Sequence, residues 1–299
     1  MWIDSAVNNN DNNNSNNNKN NNSNNNNNNT EAGDPYSAWQ QIGPAAGWHS
    51  KVLATSWGVL AVDQTAGTMH CFRDGECVRY HGQTLPEDGR VCSVAGKLLA
   101  SGGLDENGLI TSSCSWTWTQ DVGRSLSRAQ PMLTARCGHA CATMLGRVVA
   151  LGGYSSDTGG VIQAVASVEV YDASSDAWAP LPDMSVARAY FGAVAVEGRL
   201  FVFGGVDSNH DLLSSCETWS PNEGWCSLRT NAPSGGFCSA ALVNGVIHVA
   251  FNPTVDKWWD EAAVLWTFDP RTEGWFPLRL PRAPGPIYGL CVAPMSSWT

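Results

Sequence analysis

Three short phrases about fifty residues apart each end in a paired glycine: Gly96-Lys-Leu-Leu-Ala-Ser-Gly102-Gly103, Gly146-Arg-Val-Val-Ala-Leu-Gly152-Gly153 and Gly198-Arg-Leu-Phe-Val-Phe-Gly204-Gly205. A unit of this length cannot bury its own apolar strand and must stack against copies of itself, so the period constrains architecture before any residue suggests chemistry. The run Leu200-Phe-Val-Phe203 is too short for an ordinary helix, and Phe and Val favour a pleated surface, so it predicts a strand covered on both faces. The glycine pair at its end allows a sharp turn and a close approach of neighbouring backbone.

The residues downstream of each pair repeat as well. Val168-Glu-Val-Tyr171-Asp172 leads through Ser174, Ser175 and Asp176 to Trp178, then to Leu181-Pro-Asp-Met184 and Arg188. Glu217-Thr-Trp219 through Trp225, and Trp266-Thr-Phe268 through Trp275, echo it. The unit before has Trp116-Thr-Trp118 and then Leu126 where Trp178 falls. This pattern of apolar strand, Gly-Gly, aromatic, Trp, Pro-Met and Arg resembles the kelch repeat, over roughly residues 36 to 293. The resemblance implies an all-β propeller of four-stranded antiparallel blades with Trp178, Trp225 and Trp275 packed between blades.

Strand phrases beginning near Gly58, Gly96, Gly146, Gly198 and Gly245 predict five complete blades, the last with Phe251-Asn252 in place of the glycine pair. A sixth is expected to be incomplete and shared by the termini, with Ile287-Tyr-Gly-Leu-Cys-Val292 as its innermost strand and Asp34 to Ile42 as its outermost; the alternative is a missing upstream segment. Residues 1–33 are expected to be a disordered low-complexity tail, since all but four of residues 8–29 are Asn, and residues 34–299 the propeller.

The chain carries 17 basic and 27 acidic side chains, a net charge of -10, and no Lys/Arg cluster suited to a phosphate backbone, which argues against nucleic acid. Met1-Trp-Ile-Asp-Ser lacks a basic start and apolar run, and no stretch approaches the roughly 18 apolar residues of a membrane span. A cytoplasmic setting, with the nucleus as an alternative, and free buried thiols are expected for the 10 cysteines. Cys137-Gly-His139-Ala-Cys141 holds three metal-capable side chains, but it aligns with Ala189-Tyr190-Phe191-Gly192-Ala193 of the next unit and is assigned to inner-strand packing. No metal or other cofactor is expected.

Catalytic motifs such as HExxH, GxSxG or a P-loop do not occur in context, and the histidines share no spacing between repeats. Recognition remains: propeller loops at one end converge on a funnel. Kelch adaptors of ubiquitin ligases line it with arginines after the Pro-Met element and with loops after the glycine pair. Carried over, the resemblance nominates Arg136, Arg188 and Tyr190, Ser234 beside Gly235, and the loop residues Asp105, Asn107, Tyr154, Ser155, Asp207, Asn209, His210, Lys257 and Trp258. For the two arginines the alternative is a structural salt bridge or hydrogen bond. The expected function is non-catalytic capture of a protein or peptide, as substrate receptor of a cullin-based ubiquitin ligase through an upstream domain, or as a free-standing cytoskeletal or signalling scaffold. A sugar-active kelch enzyme of mutarotase or oxidase type is the third class.

Overall fold

A computed structural model of the chain describes residues 86–119, 127–243, 245–252 and 263–278, together with the strands within 2–4, 39–41 and 50–81. These residues form five four-stranded antiparallel sheets. A further pair joins β1 (Trp2–Asp4) to β2 (Trp39–Gln41). The first sheet is β3 (Ser50–Thr55), β4 (Gly58–Asp63), β5 (Thr68–Arg73) and β6 (Glu76–His81). The second is β7 (Arg90–Val94), β8 (Lys97–Ser101), β9 (Cys114–Thr119) and β10 (Ser127–Ala129).

The third sheet takes β11 (Ala140–Met144) and β12 (Arg147–Leu151), then a small hairpin of β13 (Tyr154–Ser156) and β14 (Ile162–Ala164), before β15 (Val168–Asp172) and β16 (Ala177–Leu181) complete it. The fourth is β17 (Gly192–Val196), β18 (Arg199–Phe203), β19 (Cys216–Ser220) and β20 (Gly224–Ser227). The fifth is β21 (Cys238–Val243), β22 (Val246–Phe251), β23 (Val264–Asp269) and β24 (Gly274–Pro277). First strands of successive sheets lie against one another, β3 to β7, β7 to β11, β11 to β17 and β17 to β21, so each sheet is a blade about a shared axis.

The core explains why one unit cannot stand alone. Each large apolar cluster lies between blades: Leu99 and Met132 of the second meet Val148 and Tyr171 of the third, Leu151 and Met184 of the third meet Leu200 and Trp219 of the fourth, and Phe203 of the fourth meets Ile247 and Phe268 of the fifth. Trp178 donates its indole N–H to the Gln130 carbonyl and Trp225 to that of Pro182, each reaching the chain that leads out of the preceding blade. Trp275 packs on Phe203, Phe251 and Phe268. Between β15 and β16 the Asp172 carboxylate accepts the Ser174 N–H and hydroxyl, and the Tyr171 hydroxyl donates to Asp176, which closes the turn.

The glycine pair has a steric cause. Gly152 and Gly153 have φ of 55° and 95°, and a Cβ on them would stand 2.6 Å from the Arg188 carbonyl oxygen and 2.6 Å from that of Cys137. The connections entering the next blade and its own blade both run over the strand end, so any side chain here displaces backbone. The predicted β2 region is a strand whose partner is β1, at residues assigned by sequence to the tail; Ile287 to Val292 lie outside the described residues. No helix among the described residues is long and apolar enough to cross a membrane.

Candidate functional site

Strand order brings two kinds of segment to one end of the array: the connections entering each first strand, and the loops joining second to third strands. Arg136 and Arg188 sit in those connections, but neither reaches solvent: both are 0% exposed. The Arg136 guanidinium donates to the Gly152 and Ser167 carbonyls, to the Ser167 hydroxyl and to Glu169 Oε1 at 2.6 Å. Arg188 repeats this with the Gly204 and Ser215 carbonyls, the Ser215 hydroxyl and Glu217 Oε1 at 2.8 Å. Each carboxylate also accepts two backbone N–H groups, Leu133 and Thr134 on Glu169, Ser185 and Val186 on Glu217. The expectation that these arginines face a partner is therefore corrected. Each clamps the incoming connection to its own blade, because a fully buried cation is retained only where several acceptors replace water.

Two residues beyond each arginine position the chain turns left-handed. Asp88 (φ 55°), Gly138 (φ 59°) and Tyr190 (φ 53°) occupy this point in the second, third and fourth blades. Their backbones are linked across the blades: Gly138 N–H donates to the Asp88 carbonyl at 3.0 Å, and Tyr190 N–H to that of Gly138 at 2.8 Å. The series continues into the fifth blade, where the Cys238 N–H donates to the Tyr190 carbonyl at 3.2 Å. Because Gly138 has no side chain, the Tyr190 ring lies over it, and its hydroxyl reaches Asp88 Oδ2 at 2.7 Å, two blades away. Burial and then the Asp88 charge push the Tyr190 phenol well above its ordinary range, so it is a lasting donor.

The second-to-third loops share one construction. Asp105 Oδ1 accepts the N–H groups of Asn107 and Leu109, Asp157 those of Gly159 and Val161, and Asp207 those of Asn209 and Asp211. Each loop needs one left-handed residue three positions after its Asp, filled by Gly108, by Gly160, and in the fourth blade by His210 with φ of 64°. His210 Nδ1 stands 2.8 Å from the Tyr154 hydroxyl, which also donates to the Asp207 carbonyl. Tyr154 meets Tyr190 edge-on at 5.9 Å, and Tyr190 meets Phe237 at 5.0 Å. Burial pushes the Tyr154 phenol up to about 12, with Asp207 adding to it.

Of the residues nominated from sequence, the structure thus gathers Tyr154, Tyr190, Asp207 and His210, backed by Cys137, Ala189 and Val206. Ser155 is buried in β13, and the Ser234 hydroxyl donates to the adjacent Gly235 carbonyl. Asp105, Asn107 and Asn209 are exposed loop residues. Lys257 and Trp258 lie outside the described residues. Sequence reasoning passed over Asp88 and Phe237; the signal was their place just before the first strands β7 and β21.

Behind this rim, His139 is buried with Nε2 3.2 Å from the Ser101 hydroxyl, which lies 3.6 Å from Cys141 Sγ. A bond from the Cys92 thiol, aided by His139 and Ser101, lowers the Cys141 pKa, and burial lowers that of His139. Cys137 instead belongs to the rim cluster, so the three candidate ligands do not converge. Among the described residues no three His, Cys, Asp or Glu side chains are grouped to hold a metal ion.

The Kelch motif family model matches residues 135–185 and 187–227, which are the third and fourth blades with their clamps. Beta-scruin of Limulus polyphemus is 34% identical over 163 residues, 51% of this chain. The third and fourth blades are thus kelch motifs, and these matches support the kelch-repeat superfamily for the chain. Kelch-like protein 25 of Xenopus tropicalis is 27% identical over 192 residues, 62% of the chain, and an F-box/kelch-repeat protein of Arabidopsis thaliana 29% over 136 residues, 45% of the chain. The kelch chain spans 18%, 31% and 36% of the lengths of these three relatives, so it corresponds to a part of each. A solved structure, that of YjhT, superposes with a TM-score of 0.57 at 13% identity over 69% of each chain, which shows the propeller fold.

Proposed function

We propose that this kelch chain is a protein-interaction module, without chemistry of its own, that holds a protein or peptide segment on the loop end of its blades over Tyr154, Tyr190 and His210. The observation that carries the reading is a pair of departures from glycine. Tyr190 stands where the third blade has Gly138, and His210 where the second and third have Gly108 and Gly160, each in left-handed backbone that costs a side chain on the order of 1–3 kcal/mol. Both bulky residues fall in one blade and converge on Tyr154. In the third blade glycine meets both backbone requirements; aromatic surface held at a loop mouth suits partner contact.

The names of the F-box/kelch relatives support a setting in which an upstream domain joins the array to a cullin-based ubiquitin ligase; a free-standing scaffold uses the same surface without one. The reading takes residues 34–299 as one repeat domain in the cytoplasm.

The test is affinity purification with the wild-type chain, with Y190G/H210G, and with L145S, which alters an exposed leucine at the opposite end of the third blade. Partners are expected to fall away at least about tenfold with Y190G/H210G and to be retained by L145S. A recovered set indifferent to the mouth substitutions, in a variant of normal melting temperature, sinks the proposal.

A further inference from the structure

We infer that the segment this mouth accepts is basic and apolar together, a stretch bearing Arg or Lys among aliphatic or aromatic side chains; the inference rests on the reading of the loop end as the partner surface. The loops at residues 104–113, 154–167 and 206–215 contain Asp105, Glu106, Asp157, Asp207 and Asp211 and no Lys or Arg. The same three loops expose large apolar side chains: Leu109 at 65%, Val161 and Ile162 at 60%, and Leu212 at 44%. Every loop therefore pairs carboxylate with unburied aliphatic surface, a combination that solubility alone does not call for.

The carboxylates are available. Asp105, Asp157 and Asp207 each spend Oδ1 on the loop's own N–H groups, and Oδ2 accepts no hydrogen bond among the described residues. At the rim, Asp88 spends Oδ2 on the Tyr190 hydroxyl beside the partly buried rings of Tyr190 and Phe237, an arrangement suited to a cation lying over a ring and against a carboxylate. Arg90 is the neighbouring cation, and it donates to the Gly89 carbonyl.

The turns at the other end of the blades are different. Arg147 pairs with Asp172, Arg199 with Glu223 and Arg271 with Glu197, so charge there is matched within the molecule. Among the described residues these three loops leave their negative charge for a partner to match, and a field of one sign steers a complementary chain toward it.

The loop construction supplies a clean variant. Asn offers the same Oδ1 acceptor as Asp, so D105N/D157N/D207N keeps the turn bonds and removes three charges. The purified full chain is offered a positional-scanning library of short peptides, and the best binder is then labelled with fluorescein for anisotropy titration. The expected result is selection of Arg or Lys with Leu, Ile or Phe, an affinity that falls with added salt, and a further loss of about tenfold in D105N/D157N/D207N at unchanged melting temperature. Selection of acidic or uncharged peptides that Y190G/H210G releases overturns the basic partner and leaves the loop-end reading standing. Selection of none, or binding that Y190G/H210G does not alter, overturns both.

Discussion

The third and fourth blades each hold a fully buried arginine on a glutamate; among the described residues the second and fifth hold none, yet all four share the same strand order and first-to-second strand register. The position of Arg136 and Arg188, whose carbonyls accept the N–H of the preceding blade's second glycine, is Gly236 in the fifth blade and Pro86 in the second. The strand register puts Ser115 of the second blade and Trp266 of the fifth at the position of Glu169 and Glu217. Both partners are missing together. A buried ion pair contributes little beyond what packed neutral residues supply, whereas half of one leaves a charge stranded away from water. The blade fold tolerates the pair or its absence, and not one member alone.

Breaking one clamp is the most damaging test of that contrast. R188A or E217A is expected to cost about 3–5 kcal/mol in chemical denaturation, while R188M/E217L, which replaces both charges by packed neutral side chains, loses less than either. A double variant as unstable as the sum of the singles would show that the clamp stabilises in its own right.

A smaller effect separates the two clamped blades. His139 of the third stands where the fourth has Phe191, and burial holds its imidazole neutral below the ordinary value of 6.5. The unfolded chain takes up this proton first as acid is added, so the contribution is whole above about pH 6.5 and is lost below it, by at most about 1.4 kcal/mol per pH unit. Melting temperatures between pH 7 and 5 should fall less steeply in H139F than in the wild type; equal slopes would assign the acid sensitivity elsewhere.

The mildest change tests the tie from the fourth blade back to the second. Y190F removes the bond to Asp88 and keeps the ring, and because the pair is partly exposed the cost is about 1 kcal/mol or less. A larger loss, read by denaturant midpoint, would mean that the two blades depend on that hydroxyl for their spacing.

The blades were readable because their signal is repeated and local: a four-residue apolar run closed by a glycine pair has one inexpensive conformation, and Trp178, Trp225 and Trp275 recur at matching offsets. The direction of a side chain is not local. Arg136 and Arg188 looked like funnel residues because their acceptors, Glu169 and Glu217, lie 33 and 29 residues downstream and meet them only once the third strand pairs with the second. The signal was present as covariation within the chain, since the repeat lacking one residue lacks the other. Tyr154, Tyr190, Asp207 and His210 were nominated singly by their loops; that they touch depends on blade-to-blade spacing, which no single repeat encodes. Asp88 needed a backbone angle to be noticed at all.

The lack of side chains at Gly152 and Gly153 has a consequence for how such a molecule can be recombined. The Gly153 N–H is matched by the Arg188 carbonyl, and Arg188 in turn grips the Gly204 carbonyl of the next sheet. A cut between Gly153 and Arg188 severs the first attachment and a cut between Arg188 and Gly204 the second, whereas cuts made ahead of Gly153 and beyond Gly204 leave both intact. The transplantable module of this chain therefore begins and ends in mid-sheet, and shuffled arrays assembled on those boundaries should retain their stitching where arrays of whole sheets come apart.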